Sequence, residues 1–269
     1  RGLAILGVPG VLDGGGAADT SFSMTVTTTG AQQLKLDGLT VSASTTVDWG
    51  DNSSNDYTGS GSRTHNYAGA GTWTVTIKQP LNVTLIDLRD TKITALTGAN
   101  MAKLVNLTSL RLDGIGAALV WTVNDAAPMP GGITSLNLYN LANLTWDVGS
   151  VAGANMPANC TLIEIVSCGT VTIEATDTLP APLTSFRFEN NLSQAAVDAV
   201  LAALYLAFPT RTGTGGTIDL VGTGNAAPSG ASPGSPECPP TTGWNAAYEL
   251  VNDSCGVSAN HWASVSLQT

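Results

Sequence analysis

Along the middle of the chain an apolar-x-x-apolar-x-apolar phrase recurs. Its clearest copies are Leu107, Leu110 and Leu112 in LTSLRL, Ile133, Leu136 and Leu138 in ITSLNL, and Leu183, Phe186 and Phe188 in LTSFRF. Val83, Ile86 and Leu88, and Cys160, Ile163 and Ile165, bring the count to five, and Gly215, Ile218 and Leu220 form a weaker sixth. Alternation predicts a short strand in each copy. Its apolar side chains point inward and Asp87, Arg111, Asn137, Glu164 and Arg187 point outward, because successive side chains of a strand face opposite sides. Ahead of the phrases, FSMTV, LKLDGL, TTVDW and TWTVTI alternate in the same way with turn residues between them, which describes short antiparallel strands over 20–79. After the fifth phrase, Ser193 precedes Val197, Val200, Leu201, Leu204 and Phe208 on one helical face, and Pro209 follows. That order predicts a capped helix over 194–208 packed on the outside of the coil. Residues 227–243 are rich in Pro, Gly and Ser and have no period. Beyond them 244–253 reads as helix, and Trp262, Val265 and Leu267 repeat the strand phrase where an open coil end needs closing.

The central apolar positions Ile86, Leu110, Leu136, Ile163 and Phe186 lie 24, 26, 27 and 23 residues apart. Phrase and period together resemble a leucine-rich repeat solenoid. That family places an asparagine or cysteine three residues after the last apolar position, where the side chain satisfies backbone groups as the chain turns. Asn191 and Cys168 occupy that position here, but Thr91, Ile115, Leu141 and Thr223 replace it elsewhere, so the resemblance is to a divergent member with irregular turns.

Within 20–79, Val47-Asp48-Trp49-Gly50-Asp51-Asn52-Ser53 is followed by His65-Asn66-Tyr67 and then by Gly71-Thr72-Trp73-Thr74-Val75-Thr76-Ile77. These three motifs, in this order, closely resemble the polycystic kidney disease (PKD) domain, with its WGDG turn, H-x-Y and G-x-Y-x-V. Asn52 replaces a glycine and tolerates a left-handed turn, while Trp73 replaces a tyrosine and fills an aromatic slot. The resemblance implies an immunoglobulin-like sandwich serving as spacer or adhesion module, and a structural role for His65. Some relatives bind calcium, which makes Asp48, Asp51 and Asp56 candidate ligands, although their spacing is not that of an EF-hand loop. The expected fold is therefore mainly β. An immunoglobulin-like sandwich (20–79) precedes a short leucine-rich-repeat-like solenoid (80–227) with one or two packed helices, and a Pro/Gly-rich loop with a C-terminal cap (228–269) closes the chain.

Charge limits the partners. The net charge is −10 and the ten basic residues are scattered, which argues against a nucleic-acid partner, since phosphate binding depends on clustered Lys and Arg. No apolar run reaches the roughly 20 residues of a membrane span. Residues 1–19, RGLAILGVPGVL on a glycine tether, read either as a disordered terminus or as a docking peptide for a groove on a neighbouring subunit. Cys238 and Cys255 flank the cap segment and are placed to close a disulfide across it, whereas Cys160 and Cys168 sit at core-facing positions as thiols.

Catalytic signatures are weak. Gly230-Ala231-Ser232-Pro233-Gly234 has the letters of a nucleophile elbow without the strand and helix that must flank one. Asp87 and Glu164 are the carboxylate pair a hydrolase would use, on coils separated by two others. The module order is similar to that of surface and appendage proteins of tailed phages and bacteria. It implies a non-enzymatic structural or adhesion protein on a virion exterior, a capsid decoration or fibre component. Its partners would be other virion proteins, further copies of itself, or a host surface glycan or protein. The alternatives are a secreted or cell-surface bacterial adhesin and, third, a glycan hydrolase. Trp121 and Trp146, placed in loops after strands, are contact candidates with core filling as the other reading.

Overall fold

The computed structural model describes residues 21–115, 118–149, 155–222, 224–232, 234, 236–257 and 260–268. The leader over 1–19 lies outside these residues. Four strands come first, β1 (Phe22–Thr29), β2 (Gln32–Asp48), β3 (Ser54–Tyr67) and β4 (Ala70–Ile77). The five phrases then form β5 (Val83–Leu88), β7 (Ser109–Asp113), β9 (Ser135–Tyr139), β11 (Leu162–Val166) and β13 (Ser185–Glu189). Between them lie β6 (Ile93–Thr97), β8 (Leu119–Thr122), β10 (Leu144–Asp147) and β12 (Thr170–Thr172), with one short helix, α1 (Gly98–Met101). The chain ends with α2 (Gln194–Ala207), β14 (Thr217–Asp219), α3 (Gly243–Asn252) and β15 (Ser264–Ser266).

The coil therefore has two parallel ladders rather than one. The first runs β5-β7-β9-β11-β13-β14-β15 and the second β6-β8-β10-β12. Ile86, Leu110, Leu136, Ile163, Phe186 and Ile218 enter the core from the first, and Leu96, Leu119, Trp121, Leu144, Trp146 and Val171 from the second. Burying each such side chain contributes about 1.5–3 kcal/mol, so neighbouring coils hold each other folded. In the fifth coil α2 takes the place of a second-ladder strand. Ser193 caps it by accepting from the Ala196 N–H, and Val197, Val200, Leu201 and Leu204 are its buried face.

The N-terminal strands do not stand apart from the coil. β2 pairs antiparallel with β5 and β1 pairs antiparallel with β6, so both ladders continue across the expected boundary at residue 80. One hydrophobic core runs from Phe22 to Trp262. The strands thus cover the first coil, as β15 and α3 cover the last, and apolar edges are closed at both ends.

A threonine column ties the coils together. Thr108, Thr134, Thr161 and Thr184 each donate the hydroxyl to the carbonyl of the threonine one coil earlier, at 2.9, 3.1, 3.1 and 3.1 Å. The same carbonyls accept the backbone N–H of the same residues at 2.8 Å. Each carbonyl thus uses both lone pairs on the next coil. Replacing Thr134 with Val keeps the shape and deletes one hydroxyl donor while the amide bond remains. The expected loss is about 0.5–1.5 kcal/mol, read from the shift in urea midpoint, and the quadruple Thr→Val variant should lose several times that.

Candidate functional site

The outward side of the first ladder brings the expected contact residues into one row. Asp87 is opposite Arg111, Arg111 opposite Asn137, Asn137 opposite Glu164, Glu164 opposite Arg187, and Arg187 opposite Asp219. Parallel strands are about 4.8 Å apart, so the row is a polar stripe with one side chain per coil. A second row, two residues further along each strand, contains Asp113, Tyr139, Val166 and Glu189 in register. Its signal in the sequence was the residue just after each last apolar position.

Most charges on this face are paired. Arg89 donates to both carboxylate oxygens of Asp87 at 2.9 Å and lies 3.8 Å from Asp37, which Lys35 also meets at 2.7 Å. The Asp87 hydrogen bonds hold the Arg89 guanidinium proton affinity above its ordinary value. Arg187 donates to Glu189 and lies 3.9 Å from Asp219. Tyr139 donates its hydroxyl to Glu164, and Asn140 donates to Asp113 at 3.0 Å. Arg111 differs, because its guanidinium lies 5.5 Å over the Tyr139 ring and its Nε is buried without a hydrogen-bond partner. Asp87 and Glu164 are three strand spacings apart, about 14 Å, against the roughly 5–10 Å of carboxylate pairs that cleave glycosidic bonds.

Trp121 and Trp146 do not belong to this face. They lie in β8 and β10, not in loops, and both are fully buried. The Trp121 indole N–H donates to the Ala127 carbonyl at 2.8 Å, which satisfies its polar atom inside. Core filling is therefore their role, and the contact expectation is corrected.

Nor do Asp48, Asp51 and Asp56 converge on a cation. Asp48 accepts from the Gly50 N–H and meets Lys78 at 3.4 Å, and Asp56 accepts from the Thr46 hydroxyl at 2.6 Å. Asp51 accepts from the Ser53 N–H and hydroxyl and meets His65 Nε2 at 2.7 Å. Burial works to raise the Asp51 pKa, yet the hydrogen bonds from Ser53 and His65 outweigh it and hold the carboxyl below its ordinary value. His65 stacks on Trp49 at 4.9 Å and meets Tyr67 edge-on at 4.6 Å, while Tyr67 stacks on Trp73 at 5.0 Å. The Tyr67 hydroxyl donates to the Trp49 carbonyl at 2.9 Å. The turn itself needs positive φ at Gly50 (83°) and Asn52 (70°), and a Cβ on Gly50 would sit 2.6 Å from the Thr74 carbonyl oxygen. The WGD and H-x-Y residues thus form one aromatic and hydrogen-bonded cluster.

Among the described residues, the one group of three potential metal ligands is Cys238, Glu249 and Cys255, and its two sulfurs are bonded to each other. Glu249 is fully buried beside that disulfide and accepts from the Cys255 N–H at 3.0 Å, the Glu237 N–H at 3.3 Å and the Ser254 hydroxyl. Cys160 and Cys168 are thiols, pushed by burial up to about 12 and about 11, which leaves them protonated and unreactive at neutral pH. No helix of the described residues is long and apolar enough to cross a membrane. Comparison with protein-family models, curated proteins and solved structures finds no match to this chain.

Proposed function

We propose that this chain is a non-enzymatic structural and adhesion protein whose first-ladder face is a contact surface for a glycan or a protein. The observation that carries the reading is the in-register row from Asp87 through Arg111, Asn137 and Glu164 to Arg187. A rigid coil that repeats one outward polar position per turn presents an extended surface at no ordering cost, which suits binding more than chemistry. The leucine-rich-repeat-like phrase and the PKD-like motifs support the same reading.

Two settings fit such a protein, a virion exterior and the secreted or cell-surface state of a bacterial adhesin. The Cys238–Cys255 disulfide favours the second, because virion proteins assemble in a reducing cytoplasm and disulfides persist in oxidising compartments. Alkylating unfolded native material without reductant should label two of the four cysteines, in a fraction free of particles. Four labelled cysteines in a particle-bound chain would return the virion setting. The contact face is tested by Asn137→Trp, which places a bulky ring at the centre of the row. Screened on glycan and protein arrays, the wild-type chain should show ligands that this variant loses at unchanged thermal stability. Equal binding by both chains would remove the face from the proposal.

A further inference from the structure

Building on the contact-face reading, we infer that Arg111 is the anchor of a subsite for a carboxylate-bearing sugar, an oligosaccharide of uronic-acid type. Three arginines project from the first-ladder face, and two are already committed. Arg89 is held by both oxygens of Asp87, and Arg187 by Glu189 with Asp219 beside it. Arg111 sits between them on β7 and, among the described residues, its side chain makes neither an ion pair nor a hydrogen bond. Its charge is held in place by the Tyr139 ring, and Tyr139 is itself anchored through its hydroxyl to Glu164. A guanidinium lying against an aromatic ring and left without acceptors offers its terminal N–H groups to a carboxylate, the group it pairs with most specifically.

The acids nearby are occupied and do not take this place. Asp87 is neutralised by Arg89, Asp113 accepts from Asn140, and Glu164 accepts from Tyr139. Arg111 is in register with Asp87 and Asn137, and two residues earlier Ser109 and Ser135 are in register with each other, with Asn137 donating to the Ser135 hydroxyl at 3.2 Å. Hydroxyl and amide groups spaced at about 4.8 Å match sugar hydroxyls better than the apolar anchors of a peptide, which require pockets to fill. The chain's net charge of −10 repels polyanions at long range, but at physiological salt that field is screened beyond about 8 Å while the local pair is not.

The test is titration calorimetry of the full chain with oligogalacturonate, neutral oligogalactose and a glutamate-rich peptide. Oligogalacturonate should bind roughly tenfold to a hundredfold more tightly than the neutral sugar. Arg111→Gln should erase that preference, and Lys78→Gln, at an exposed residue that is not part of the row, should change affinity by less than about threefold. Arg111→Lys, which keeps the charge without the fork, should fall between. Equal affinity of the Arg111→Gln and wild-type chains, equal binding of acidic and neutral sugars, or binding of the acidic peptide alone would each overturn the inference. Neutral-sugar binding that Asn137→Trp removes and Arg111→Gln spares would leave the contact face standing without its carboxylate subsite. Binding untouched by Asn137→Trp would remove the contact face itself.

Discussion

Replacing Arg211 with Met is expected to lower stability by about 3–5 kcal/mol and to release the C-terminal cover of the coil. Arg211 is only 5% exposed and, among the described residues, has no carboxylate partner. Its Nε donates to the Leu183 carbonyl at 3.2 Å, and its terminal nitrogens donate to the His261 carbonyl at 2.9 Å and to the carbonyls of Asn260 and Gly215. The guanidinium also lies 3.9 Å over the Trp262 ring, and Asn260 returns a bond to the Arg211 carbonyl at 2.8 Å. One side chain thus joins the start of the fifth phrase, the turn before β14 and the segment leading into β15. Burial lowers its proton affinity, but an arginine begins so high that it stays charged. Methionine fills most of the volume and leaves four carbonyls without donors, each costing about 1–3 kcal/mol before relaxation and water entry. Lysine carries its three donors on one nitrogen, too close together to reach all four carbonyls, and should recover only part of the loss. Urea midpoints and proteolysis within 260–268 are the readouts, with exposed Lys78→Gln as the control expected within about 0.5 kcal/mol of wild type. An Arg211→Met chain as stable and as protease-resistant as wild type would show that the cover is held by its apolar contacts alone.

Arg211 also shows where reading from the sequence stops. The strand phrase placed β5, β7, β9, β11 and β13 because two or three inward side chains per turn impose period two whatever the neighbours do. Ser193, the apolar face and Pro209 likewise marked α2, found at Gln194–Ala207. The second ladder escaped notice because its strands are three to five residues long, and LVWT or LTWD gives only two inward positions. That is too short for alternation to register, so Trp121 and Trp146 looked like loop residues. In the N-terminal region β2 is one strand of 17 residues where two were expected, and glycine-rich β3 carried no alternation at all. Its order comes from pairing with β2, which local composition does not report.

The site was legible to the same depth. Outward positions followed from alternation, so Asp87, Arg111, Asn137, Glu164 and Arg187 were found. Which of them are paired depends on neighbours two residues away, on the same coil for Asp87 and Arg187 and across to the adjacent coil for Arg111 and Glu164, which both meet Tyr139. That choice is made by rotamers and ring positions, which a phrase read one coil at a time does not contain. The column of Thr108, Thr134, Thr161 and Thr184 was visible as the second letter of four phrases. It gains meaning only once the coils are stacked and each hydroxyl meets the preceding carbonyl.

Turn chemistry carries the second large expected effect. The consensus position pointed to Asn191, but Asn191 adopts a positive φ of 57°, and the neighbouring Asn190 and the distant Asn225 satisfy the turns. Asn190 accepts from the Cys168 N–H at 2.7 Å and donates to the Gly169 carbonyl at 3.1 Å. Asn225, 5% exposed, uses all of its amide. It donates to the carbonyls of Phe188 and Leu220 at 2.8 and 2.9 Å, and accepts from the N–H groups of Asn190 and Leu192 at 3.2 and 2.9 Å. Asn225→Ala leaves four backbone groups without this partner, three of them on the buried residues Phe188, Leu192 and Leu220, and should cost about 3 kcal/mol, read from urea midpoints. Asn225→Asp sharpens the assignment, because a carboxylate still accepts from Asn190 and Leu192 but faces two carbonyl oxygens with no proton to donate. Its folded pKa is therefore raised above the unfolded value near 3.9, so the variant's deficit is full at neutral pH and shrinks as pH falls through the raised value. Midpoints for Asn225→Asp and wild type should accordingly converge between about pH 7 and pH 4, while the Asn225→Ala deficit stays constant. A pH-independent Asp deficit, or an Ala variant as stable as wild type, would mean that these turns are held by the strands they join and not by the amide between them.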